Sequence, residues 1–334
     1  PMTSASVTEP RGASLDSPLV RLLALPAMVG IGALVALQTL INGELAAVLG
    51  TGVRAGVAAA VVSFGSGLVV LTAAVAVLPG PRRGVGRLRT ALTDGTLRPW
   101  QLLGGMVGAL IVAAQGLSVG TLGVALFTVA VVAGQTSSGL LVDRAGLGPS
   151  GAQAVSYGRV VGAALALVAV VLSTRGRLDG SDALTGAGVG LALLPLVAGS
   201  ATSWQQAVNG RVSAVAGPVA AAWNNFVVGL TLLLVMWLVS LLFPGDLETF
   251  PGPWWAWVGG VIGVVFIASA ARLVRVHGVL VLGLCSISGQ VVASLVIDAV
   301  VGTPLGSLSL AGAALTLVGV LIAAAASRSG QPAR

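Results

Sequence analysis

Ten long apolar runs follow one another along the chain, and polar residues collect between them. The runs are 23–45, 55–78, 99–118, 121–142, 155–173, 184–207, 218–243, 254–271, 277–298 and 308–326. Each is continuous and rich in Leu, Val and Ala, without the short alternation of a barrel strand. About 20 apolar residues as a helix match the hydrocarbon core of a bilayer. A helix also satisfies its own backbone groups there. The pattern predicts an all-α integral membrane protein with ten transmembrane helices.

The runs repeat. Trp100–Asp143 and Trp255–Asp298 align without a gap at an offset of 155 residues. Trp100/Trp255, Gly104/Gly259, Gly105/Gly260, Gly108/Gly263, Gly123/Gly278, Gly134/Gly289, Gln135/Gln290 and Asp143/Asp298 are identical pairs. Earlier in each half, Gln38-x3-Asn42-Gly43 returns as Gln205-x3-Asn209-Gly210, and Phe64-x2-Gly67 as Phe226-x2-Gly229. Gly162–Val170 echoes Gly312–Val320. The unit is five helices long, 23–174 and then 184–327. Five is odd, so the second copy enters the membrane from the opposite side. Inverted-topology repeats are a feature of secondary transporters, with the site near the midplane between them.

Composition agrees with the bilayer as solvent. Of 334 residues, 56% are hydrophobic and 8% charged, with a mean hydropathy of +1.02. A soluble domain carries about 25% charged residues. All 17 basic residues are Arg, and the net charge is +7. Nucleic acid is not the expected partner, because the arginines lie between apolar runs. With the N-terminus inside, only Arg54, Arg175 and Arg177 fall in outer segments. Positive-inside bias then puts both termini in the cytoplasm. Pro1 stands ahead of Met2 and is read as an addition to the natural start. Residues 1–22 are expected to form a disordered cytoplasmic tail, and no signal peptide is expected. Cys285 is the single cysteine, so no intrachain disulfide can form.

No catalytic pattern emerges. Gly116-Leu117-Ser118-Val119-Gly120 has the letters of a nucleophile elbow, but that motif needs a strand-to-helix turn and a His partner. Here it lies between two membrane helices, and His277 is the one histidine. No phosphate loop or metal-ligand spacing is present, so no cofactor or metal is expected.

The candidate residues are amides within the spans. Gln38 and Asn42 share one helix face, as do Gln205 and Asn209, while Gln135 and Gln290 lie mid-span. Such groups in hydrocarbon face the protein interior or a water-filled cavity. Two readings stand: interhelical hydrogen bonds that hold the bundle, or the polar, uncharged lining of a substrate site. Trp204, beside Gln205, either stacks a planar or cationic ligand or packs. Glu44, Arg211, Asp143 and Asp298 lie near span ends and are candidates for gating or coupling. For the two Asp, helix capping is the first expectation and a gate ion pair the second.

Taken together, Gln38-x3-Asn42-Gly43, Ser63-Phe64-x2-Gly67, Trp100-x3-Gly104-Gly105-x2-Gly108 and Gly123-Val124-Ala125-Leu126…Gly134-Gln135…Asp143 resemble the YdcZ-type branch of the drug/metabolite transporter superfamily. The resemblance covers Leu23 to Ala326. It implies a ten-helix DMT/EamA-like fold, an inner-membrane location and export of a small metabolite or toxic compound. It also implies a central cavity lined by the first, third, fourth, sixth, eighth and ninth helices. One departure concerns coupling: four-helix multidrug relatives use a membrane-embedded Glu in the first helix, where this chain has Gln38 and Asn42.

The leading expectation is a secondary active or facilitative transporter, an exporter, of a small polar or zwitterionic metabolite, working by alternating access. Its partners would be that small molecule, membrane lipids and a coupled proton or counter-substrate, in a monomer or homodimer. The alternative is a lipid-handling protein such as a flippase for an amphipathic anchor, or a membrane interaction protein without transport.

Overall fold

A computed structural model describes residues 18–147, 156–177, 186–248 and 253–329. The described residues are almost entirely helical. In chain order the helices are α1 (Pro18–Leu49), α2 (Gly52–Val77), α3 (Pro79–Thr93), α4 (Gly104–Arg144), α5 (Tyr157–Arg177), α6 (Gly186–Ala216), α7 (Pro218–Ser240), α8 (Val258–Val301) and α9 (Ser307–Ser329). Short 3-10 turns at Pro99–Leu103 and Trp254–Trp257 lead into α4 and α8. Among the described residues, five helical stretches are long and apolar enough to cross a membrane: Leu23–Leu49, Gly52–Val77, Pro99–Val142, Pro218–Ser240 and Leu282–Val301. Shorter apolar helices cover Val160–Leu172, Val258–Ala270 and Ser307–Ile322.

Two expected pairs of separate helices are each carried by one long element. Runs 99–118 and 121–142 form α4, and runs 254–271 and 277–298 form α8. In α4 the reason is a sharp, local break. Gly123 adopts φ 72°, ψ 167°, and helix resumes at once on both sides. Only glycine takes that conformation readily. The break frees the first N–H groups of the second segment, which have no partner inside their own helix. Asp298, only 1% exposed, supplies both acceptors from α8. Its Oδ1 accepts from Val124 N at 2.9 Å and its Oδ2 from Ala125 N at 3.1 Å. The same residue's carbonyl accepts from the N–H groups of Gly302 and Thr303, ending α8.

The expected charged connection after the second span contains an unexpected helix. Leu78 is extended and Pro79 opens α3, a position where proline's missing N–H leaves nothing unsatisfied. Gly84, Leu88 and Ala91 are buried, with Val85 and Leu92 partly so, against Val212, Ala216, Ala220 and Ala221 of α6 and α7. This i, i+4, i+7 spacing is the apolar stripe of an amphipathic helix. Four arginines in the segment concealed that stripe.

Packing between the halves is crossed and reciprocal. A Cβ at Gly104 would strike Asn209, and one at Gly259 would strike Asn42. Gly105 lies on the carbonyl of Asn225, and Gly260 on that of Ser63. Gly108 meets the amide of Gln205, and Gly263 that of Gln38. Gly67 touches the ring of Phe226 while Gly229 touches that of Phe64, and the two rings lie 4.9 Å apart. Deeper in the spans, Gly134 sits on Leu196 O and Gly289 on Val29 O. In lipid, where apolar burial does not drive helix association, such small-residue contacts do. Thus α4 is held on α6 and α7, and α8 on α1 and α2.

Two outcomes follow for stability, both read from thermal unfolding in detergent. Asp298→Ala leaves two buried N–H groups unpaired and should lower stability by about 2–4 kcal/mol, while Asp298→Asn keeps one acceptor and should lose less. An Asp298→Ala protein as stable as the parent would remove the capping account. Gly260→Ala should be clearly destabilising. Gly65→Ala, where nothing lies within 4 Å, should be neutral or stabilising by up to about 1 kcal/mol. Equal effects at both glycines would contradict the packing argument.

Candidate functional site

The intramembrane amides divide by what they do. In the first half they are tied to the fold. Gln38 Nε2 donates to Gly259 O at 2.9 Å. Asn42 is fully buried, and its Nδ2 donates to Gln115 Oε1 at 2.6 Å. Gln115 Nε2 then donates to Thr39 Oγ1 at 3.0 Å, and Thr39 Oγ1 to Val35 O at 2.9 Å. Asn42 Oδ1 has no N–H or O–H partner. It faces the α-carbon of Gly259, where only a weak C–H···O contact is available.

Their counterparts differ. Gln205 and Asn209 are half-buried and face Gly108 and Gly104. Among the described residues neither side chain forms a hydrogen bond. For Asn209 the reason is readable at the offset of 155: Gln115, which holds Asn42, corresponds to Ala270, whose side chain has no polar atom to offer.

Gln135 and Gln290 are also half-buried and almost unused by the fold. Ser203 Oγ of α6 donates to the backbone carbonyl of Gln135 at 2.7 Å, leaving the side-chain amide without a partner among the described residues. Gln290 Nε2 reaches only Ser286 Oγ, one turn earlier, at 3.4 Å, the outer limit of such a bond. Trp204 is half-buried and stacks on Trp100, with centroids 6.4 Å apart and planes at 26°. One face of its indole is therefore taken.

The charged candidates do not converge. Glu44 is exposed on α1. Arg211 is half-buried, and its Nη2 donates to Gly146 O, just past α4, at 2.9 Å. Asp298 is committed to the break in α4. The side chain of Asp143 lies outside the described residues. No group of three or more His, Cys, Asp or Glu among the described residues could hold a metal ion.

Sequence reasoning missed Gln115, because nothing at the equivalent position repeats it. It also missed two arginine clasps at the bundle's ends. Arg54 Nη2 donates to Leu241 O and Phe243 O, where Gly50 also pairs with Leu247. This pins the α1–α2 turn to the segment after α7. Arg87 on α3 donates through Nε to Val215 O and through Nη2 to Ala216 O, both at 3.0 Å. This pins the α6–α7 turn to the segment after α2. Each half's first hairpin is thus held by the other half's next connection.

Depressions among the described residues lie elsewhere. A groove of about 610 Å³ lies where the end of α1, the start of α2, the middle of α4 and the start of α6 meet. Its walls are small, including Gly43, Gly56, Gly116 and Gly120, and include none of the amides above. A second groove, of about 200 Å³, is wholly apolar and lies between α2, α4 and α7, against Val57, Leu117, Met236 and Phe243.

Comparison with known proteins places this architecture. A family described as "Putative inner membrane exporter, YdcZ" matches residues 23–172 and 190–322. No curated protein matches the chain. One solved structure, described only as a crystal structure of a protein, superposes with a TM-score of 0.56 at 19% identity, covering 94% of this chain and all of the other. That likeness supports the helical fold alone. The family match spans most of the chain, and with it the chain belongs to the YdcZ family of inner-membrane exporters, as a multi-pass membrane protein.

Proposed function

We propose that the protein is a secondary transporter exporting a small polar or zwitterionic metabolite or toxic compound by alternating access. In this reading ten spans form two five-helix repeats of inverted topology, with both termini cytoplasmic and the substrate near the midplane. The observation that carries it is the pair Gln135 and Gln290. They are equivalent residues on α4 and α8, half-buried, and left nearly free of hydrogen bonds by the fold. An amide in hydrocarbon that does not hold the bundle together needs another partner. Gln205 and Asn209 present further unengaged polar groups on α6. The crossed glycine contacts supply the second ingredient, since halves that meet through reciprocal, close-packed seams can rock as bodies about one axis.

A lipid-handling protein is the second reading. The wholly apolar groove between α2, α4 and α7 favours it, because that groove suits an acyl chain better than a metabolite.

A thermal-stability screen of the detergent-solubilised protein against a metabolite library separates the two. A true ligand at 100 times its dissociation constant should stabilise by about 2.7 kcal/mol. The shift should vanish in Gln135→Ala combined with Gln290→Ala while the unliganded midpoint stays put. A hit that survives both substitutions would sink the proposed site. Stabilisation by an amphipathic lipid and by no soluble compound would favour the second reading.

A further inference from the structure

Helix α3 carries a surface that neither the fold nor the transport proposal uses. Its apolar stripe is covered by α6 and α7, and Arg87 is engaged with the end of α6. Arg82 and Arg89, seven residues apart, lie on one stripe of the opposite face, and Arg83 lies on the flank about a quarter turn away; all three are exposed. Arg83 Nε donates to Pro79 O, which fixes that side chain against its own helix. Pro79–Thr93 contains no acidic residue. The nearest in sequence, Asp94, is held below the usual carboxylate range by the Thr96 hydroxyl and then by the Thr96 backbone N–H. Among the described residues, no carboxylate meets the three arginines.

Their height relative to the membrane follows from α2. That helix exposes Val69, Val70 and Val77, and Leu78 continues the apolar surface. In an inner-membrane protein this side faces acyl chains. Val77 is 78% exposed, and Arg82 comes only five residues later. The basic face therefore begins where the hydrocarbon ends, in the layer of lipid phosphates. We infer that the exposed arginine face of α3 is a binding site for the headgroup phosphate of an anionic phospholipid. Pro79–Thr93 carries no aromatic residue to stack on the rest of a soluble anion. A lipid needs none, because the bilayer already holds it in place. Through the Arg87 clasp, a lipid held here would also steady the α6–α7 turn. The inference does not rest on the transport proposal, because its test reads lipid retention rather than transport.

The experiment compares lipid retained on the purified, full-length protein, by native mass spectrometry, after equilibration with phosphatidylglycerol or phosphatidylcholine. The parent should retain phosphatidylglycerol preferentially, and the preference should fall as salt rises. An arginine near an anionic surface contributes roughly a five-fold factor, so the triple variant Arg82→Gln, Arg83→Gln and Arg89→Gln should weaken retention on the order of 100-fold. Exposed substitutions of this kind should leave the unfolding midpoint in phosphatidylcholine unchanged. Arg144→Gln, an exposed arginine elsewhere, should leave retention intact. Undiminished retention in the triple variant would overturn the inference, as would an equal loss in Arg144→Gln. So would equal retention of both lipids, or displacement by millimolar inorganic phosphate, which would indicate a general anion surface. Should the triple variant fail to fold, the salt dependence of phosphatidylglycerol against phosphatidylcholine on the parent decides, and no difference between the lipids overturns it.

Discussion

A broken helix leaves backbone N–H groups that its own turns cannot satisfy, and α4 is broken at Gly123. Everything near that point is arranged around the two exposed N–H groups of Val124 and Ala125. Asp298 answers them from a different half of the chain, using one oxygen for each. Its own backbone closes α8 a few residues before the next connection. One buried side chain thus fixes the start of one segment and the end of another.

The same economy runs through the glycine seams. Gly-Gly-x2-Gly at the head of α4 and of α8 removes side chains where two helices of the other half must pass. Polar groups are then drawn into these crossings, and Gln38 and Asn42 become part of the joint. The amides further along α4 and α8 escape that role. Residue type alone does not decide which amides hold the bundle: Gln38 and Asn42 are bonded in their crossing, whereas Gln205 and Asn209 lie in the equivalent crossing without a hydrogen bond among the described residues.

Much of this was legible in the chain. The repeated Trp, Gly, Gln and Asp marked the seams and the span ends, because those residue types are improbable by chance in so apolar a sequence. Spans showed as apolar runs, since the solvent imposes them. The rest was hidden for identifiable reasons. The gap between the spans on either side of Gly123 was visible, but the carboxylate that caps the second of them, 175 residues away at Asp298, was not. Gln115 has Ala270 as its counterpart and therefore no echo, although it holds Asn42. Helix α3 carries a stripe of Gly, Leu and Ala too slight to stand out among its arginines. Whether Asn209 is bonded depended on the residue at position 270, 61 residues further along the chain, which no local pattern reveals.

The crossed seams also set a schedule. Gln38 finds its acceptor at Gly259, 221 residues further along the chain. At a synthesis rate of about 5–20 residues per second, that acceptor emerges roughly 10–40 s after Gln38. Until then the surfaces of α1 and α2 that meet α8 stand uncovered, although contacts within the first half, such as Asn42 with Gln115 and Gly56 against Gly116, can already form. The nascent chain must therefore wait in the lipid, half-built and exposed to mispairing, for the second half to arrive.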